Sequence, residues 1–109
     1  MNKKKIRKNF KESVFKRDNY SCKICDAKYN KENAEQFLDA HHIIDRNEIV
    51  SGGYVKENGI SLCKTGENCH LKAEQFHITG TSVPGFSPDE LYAKISSSKE
   101  MAVKAAEKL

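Results

Sequence analysis

Residues able to do chemistry are gathered in one stretch of the chain: Cys22-Lys-Ile-Cys25, then His41-His42, Asn58, Cys63 and Cys69-His70. Four thiolates in two groups suit a tetrahedral zinc ion, which would staple together segments distant in the chain. Cys63 and Cys69 are separated by five residues, more than in a tight knuckle, and Gly66 gives that loop the freedom to close on one ion. Buried free thiols or a redox Cys-x-x-Cys pair are the other readings of the same residues. Neutral imidazole can bind a metal through one nitrogen or take a proton from water, and metal-assisted hydrolysis needs one of each. A regular strand aims adjacent side chains at opposite faces, so for His41 and His42 to serve one site the strand must end or bulge there. His70 and Glu74 are four apart on a predicted helix, point the same way, and could supply further ligands. His77 lies near that face and would have to reach farther.

The elements that must position these groups follow from periodicity. Ile6, Phe10 and Val14 recur every four residues, with Phe15 alongside, predicting an amphipathic helix over about residues 5–17 with a basic opposite face, broken at Asp18-Asn19. Residues 26–35 are polar and aperiodic and read as loop. Apolar residues resume after Gln36, and Phe37-Leu38 running on to His41-His42-Ile43-Ile44 predicts a first strand. Ser51-Gly52-Gly53 marks a turn, and Gly59-Ile60-Ser61-Leu62-Cys63 predicts a second strand. Asn68 is placed to cap a helix carrying Cys69, His70, Ala73, Glu74 and His77. Farther on, Ser87-Pro88-Asp89-Glu90 is a capping box that opens a helix to about Ile95, and Ser97 with Glu100 has the same spacing ahead of a helix over 99–109.

A chain of 109 residues holds one small core that buries little apolar surface, so a structural metal would add the missing rigidity. No apolar run spans a bilayer and the N-terminus is charged where a secretion signal needs an apolar stretch; the expectation is an intracellular chain without membrane segments. That setting favours metal ligation over two disulfides for the four cysteines. The net charge is +4, yet Lys3, Lys4, Lys5, Arg7, Lys8, Lys11, Lys16 and Arg17 crowd the start of the chain against a lone Glu12. A polyanion such as nucleic acid fits that helix, as does the plainer reading of a solubilising tail.

The order Cys-x-x-Cys, Asp39-Ala-His41-His42-Ile43-Ile44, Gly52-Gly53, Glu57-Asn58-Gly59-Ile60-Ser61-Leu62-Cys63 and Cys69-His70-Leu-Lys-Ala-Glu74 resembles the HNH endonucleases, over about residues 14–77. The lead-in from Val14 to Cys22 is similar to the segment before the first zinc knuckle of many such proteins, small phage-encoded ones among them. The resemblance implies an α+β fold: a small ββα-metal (His-Me finger) core stapled by a structural zinc at Cys22, Cys25, Cys63 and Cys69, with flanking N- and C-terminal helices. Residues 1–80 would form the nuclease domain with its basic helix, and 81–109 a loop and helical extension packing on the core. His41 takes the position of the first ligand of a catalytic divalent ion, His42 that of the general base, and Asn58 that of the central asparagine that holds the base-bearing loop or aids the metal. His70 matches the final histidine, a metal ligand, and Glu74 falls where many members carry another. Two departures stand out: the long gap between Cys63 and Cys69, and a glutamate where a second histidine is common.

The function expected is hydrolysis of DNA phosphodiester bonds. Two imidazoles and a carboxylate favour Mn²⁺, Ni²⁺ or Zn²⁺ by ligand type, with Mg²⁺ left open. Lys4, Lys5, Arg7, Lys8, Lys11 and Arg17 are the expected contacts to the DNA backbone. One site implies one strand cut per visit, so double-strand cleavage would need a homodimer, an accessory protein or a second visit. The cytoplasm of a bacterial host is the expected location if the gene is bacterial or phage-borne. A non-catalytic zinc module that binds nucleic acid is the alternative; it gives no physical reason for His42, Asn58 and His70.

Overall fold

The computed structural model describes residues 2–109. Its elements are α1 (Lys3–Arg17), α2 (Ala34–Phe37), β1 (Leu38–His42), three 3₁₀ turns (Arg46–Glu48, Val50–Gly53, Lys56–Asn58), β2 (Gly59–Cys63), α3 (Cys69–Thr79), α4 (Pro88–Lys94) and α5 (Lys99–Ala106). This is a small α+β fold in which two antiparallel strands and α3 make a ββα unit.

Helix α1 starts where the Asn2 side chain accepts the Lys5 N–H at 2.8 Å, and it buries Phe10, Val14 and Phe15. It ends before Asn19 and Tyr20, both at positive φ, where the chain reverses into the cysteine turn. The strands pair Leu38 with Cys63, His41 with Ile60 and His42 with Gly59. Every residue of β2 is buried. Alternation sends Gly59 and Ser61 toward α1: a Cβ on Gly59 would lie 2.5 Å from Val14 Cγ2 and 2.7 Å from Phe10 Cε1, and the Ser61 hydroxyl donates to the Val14 carbonyl at 3.5 Å. Leu38, Ile43, Ile60, Leu62 and Leu91 are the largest of the fully buried apolar side chains.

The first strand differs from the sequence expectation at both ends. Phe37 belongs to the short α2, stacking on Tyr29 with ring centroids 4.8 Å apart, and pairing stops at His42. Ile43 N–H still bonds the carbonyl of Asn58, the next residue in register, at 2.9 Å, but Asn58 N–H turns to the Val55 carbonyl at 2.9 Å and Ile44 N–H is taken by Asn58 Oδ1 at 3.0 Å, so the ladder ends. Apolar residues alone did not mark where the strand ended. The last helix is capped by Ser98, which accepts the Met101 N–H at 3.1 Å, rather than by Ser97, whose hydroxyl donates to the Glu57 carbonyl at 2.8 Å. The expected box at Ser87 and Glu90 forms in both directions. Helices α4 and α5 add Leu91, Tyr92 and Ala102 to the core cluster, and α5 lies against the turns Val50–Gly53 and Lys56–Asn58.

Candidate active site and metal centres

The four cysteines converge. Their sulfurs all lie within 4.8 Å of one another, and Cys25 Sγ is 3.7 Å from Cys63 Sγ. Sulfurs bound at about 2.3 Å on a tetrahedral zinc stand about 3.8 Å apart, so the spacing fits an ion and is far too long for a disulfide. The Cys69 N–H donates to Cys63 Sγ at 3.3 Å, drawing the long loop closed, with Gly66 in a left-handed conformation in the turn. Burial opposes ionisation of Cys22, yet the backbone N–H groups of Cys25, Cys63 and Ile24 outweigh it and lower its pKa. Cys69 has no such surplus, and burial beside the other thiols raises its pKa. A cation would be needed to ionise all four.

The second cluster forms between β1 and α3. Asp39 and His41 alternate onto the face of β1 toward α3, which presents His70, Glu74 and His77 at successive turns of one face. His41 is 2% exposed and its Nδ1 is 3.0 Å from Glu74 Oε1. Burial lowers the pKa of His41, so its neutral ring donates to the carboxylate; that hydrogen bond is the main reason Glu74 is held down at about 2. His70 places Nε2 3.3 Å from the same Glu74 oxygen and Nδ1 2.9 Å from Asp39 Oδ2. Burial disfavours its charge, but Asp39 outweighs this and raises its pKa. The donors that converge within 4.8 Å are those of His41, Glu74 and His77. His77, which looked distant along the sequence, is brought in by its ring stacking on His41, with centroids 5.2 Å apart.

His42 turns the other way. Its ring stacks on Phe10 at 4.5 Å and meets Tyr54 edge-on at 4.6 Å, so α1 and the glycine turn position it. Burial, with His41 and Arg46 close by, lowers its pKa to about 4 and keeps the imidazole neutral near pH 7. The strand ends here, and so both faces open on one cleft of about 380 Å³ lined by His41, His42, Asp45, Arg46, Glu74 and His77. Asn58, fully buried, fixes the chain just beyond. Its Nδ2 donates to the carbonyls of Ile44 at 3.1 Å and Gly53 at 3.3 Å, and its Oδ1 accepts from Ile44 N–H and from the Tyr92 hydroxyl at 2.8 Å. Gly53 is required there: φ is +62° and a Cβ would sit 2.6 Å from Asn58 Nδ2. Among the described residues, two buried side-chain nitrogens lack any partner, His42 Nε2 and His77 Nδ1, and both belong to residues of this cleft.

The family model described as HNH endonuclease matches residues 22–76, just over half of the chain. The chain belongs to the HNH endonuclease family. Membership implies a nuclease-type function, with nucleic acid as the substrate class and a divalent metal in use. Neither a curated protein nor a solved structure matches the chain.

The basic residues of the HNH protein divide into free and engaged groups. Arg17, read from sequence as a DNA contact, is committed within the fold: its guanidinium bonds Asp18 and the carbonyls of Lys56 at 2.5 Å and Gly59 at 2.7 Å. Lys11 pairs with Glu35 at 2.6 Å. Lys8, though exposed, pairs with Glu12 at 3.9 Å, while Lys4, Lys5 and Arg7 remain exposed on α1, Arg7 lying 5.7 Å over the Tyr54 ring. A second cleft, of about 570 Å³, lies between α1 and the glycine turn and shares Arg46 with the first. Among the described residues no helix is long and apolar enough to cross a membrane.

Proposed function

We propose that this HNH protein is a metal-dependent endonuclease that hydrolyses DNA phosphodiester bonds, with His42 as general base and zinc at the four cysteines as a structural ion. The observation that carries the reading is the pair of unpartnered imidazole nitrogens at one cleft. A binding module would leave their desolvation uncompensated, whereas proton transfer and metal ligation each need a free ring nitrogen.

In this reading His41 and Glu74 hold the catalytic ion together with an imidazole of α3, which the family resemblance assigns to His70. A divalent ion there would supply positive charge to the phosphate and the departing 3′ oxygen. His42, kept neutral by burial, takes the proton of the attacking water. Phe10 and Tyr54 hold its ring at a fixed angle, and Asn58 fixes the backbone that follows it. Arg46 stands at the junction of the two clefts, so a strand lying along the larger one past Arg7 would deliver a phosphate to the smaller.

The test is cleavage of supercoiled plasmid by protein loaded with zinc and then given Mg²⁺, Mn²⁺ or Ni²⁺ separately. Relaxed or linear product with at least one of these ions, abolished by chelation, supports the nuclease. Retardation of DNA without cleavage under every ion would overturn it in favour of the non-catalytic binding module.

A further inference from the structure

We infer that His77 is a ligand of the catalytic ion through Nδ1, and that the main chain of the base residue holds it in the ligating tautomer. The inference rests on the nuclease reading only for the identity of the site. Its own support is geometric. His77 Nε2 is 2.9 Å from the carbonyl oxygen of His42. A carbonyl can only accept, so Nε2 carries the hydrogen and the neutral ring keeps its lone pair on Nδ1. That atom is buried without a partner in a ring whose donors converge with those of His41 and Glu74. A metal-binding histidine whose other nitrogen donates to a backbone carbonyl is a common arrangement, because the outer bond fixes ring orientation and raises ligand basicity.

Glu74 and His77 are three apart on α3 and so share a face of the helix, while His70 begins that face with both ring nitrogens already toward carboxylates, Asp39 and Glu74. His70 thereby steadies Glu74, and His77 completes a set of two imidazoles and one carboxylate. The family match ends at residue 76, so this ligand lies outside the matched segment. One consequence is a direct mechanical link: the residue that binds the ion through one nitrogen grips the backbone of the base through the other.

The experiment is titration of the zinc-loaded full chain with Mn²⁺, followed by electron paramagnetic resonance, for the wild type, His77→Gln and His77→Asn, with thermal melting in parallel. A glutamine amide reaches the Nε2 position and keeps the bond to the His42 carbonyl but offers nothing at Nδ1. Asparagine places its oxygen near Nδ1 and gives up that bond. The expected result is that His77→Gln melts like the wild type while its Mn²⁺ affinity falls by about tenfold or more, and that His77→Asn binds Mn²⁺ better than His77→Gln while melting lower. Wild-type affinity in His77→Gln would overturn the inference, as would a wild type that binds no Mn²⁺. Should the affinity pattern hold while plasmid stays uncut, the ligand assignment stands and the nuclease reading falls.

Discussion

Asn58 is the residue on which the site's geometry converges, because one buried amide makes four hydrogen bonds that join the end of β1, the glycine turn and α4. Replacing it by alanine strips partners from the Ile44 N–H and carbonyl, the Gly53 carbonyl and the Tyr92 hydroxyl. Desolvated orphans of this kind cost about 1–3 kcal/mol each, so Asn58→Ala is expected to lose about 3 kcal/mol or more in urea unfolding. Tyr92→Phe removes one of the four and is expected to cost about 1 kcal/mol, with the site otherwise kept. The cluster residues His41, His42, Asn58, His70 and Glu74 could be read from type and order, since metal and proton chemistry restrict the choice to few side chains. His77 could not be singled out: its role depends on a backbone carbonyl across the fold, which leaves no mark on spacing. Arg17 has engagements that the sequence does not show, because a cation on a basic helix looks free until the carbonyls of Lys56 and Gly59 are seen facing it.

At the scale of elements, one side of α1 does two jobs. It supplies Phe10 to the His42 ring, and one and two turns earlier on the same side Arg7 and Lys3 line the larger cleft. The contact between α1 and β2 depends on the missing side chain of Gly59. Gly59→Ala is expected to destabilise by about 1–3 kcal/mol through overpacking against Val14 and Phe10, and to slow cleavage by shifting the ring on which His42 rests. Thermal melting and plasmid cleavage of the one variant check both effects. Helix α1, β2, α3 and the capping box at Ser87 were legible because strict periodicity or a capping side chain marks them. The end of β1 and the cap of α5 were not. Each was decided by a long-range partner, Asn58 for the first and Glu57 drawing Ser97 away for the second. Ser98→Ala should therefore weaken α5 by about 1 kcal/mol through loss of its cap.

For the whole molecule, two centres divide the labour. The thiolate centre ties the turn at Cys22 and Cys25 to the end of β2 and the start of α3, and the histidine cleft lies at the other end of the same strands. Because ligand binding by a centre absent from the unfolded chain is itself folding energy, chelation of zinc or Cys63→Ser is expected to abolish the cooperative unfolding transition, seen as loss of a thermal melt. The most direct test of the central claim, that His42 acts as the base of an HNH nuclease, is the single-turnover rate of plasmid cleavage by His42→Ala beside the wild type. Both proteins must be zinc-loaded and matched in melting temperature, Mn²⁺ affinity and DNA retardation. The account predicts a rate lower by about 10²–10⁴-fold with binding unchanged. Cleavage by the alanine variant at the wild-type rate would contradict it.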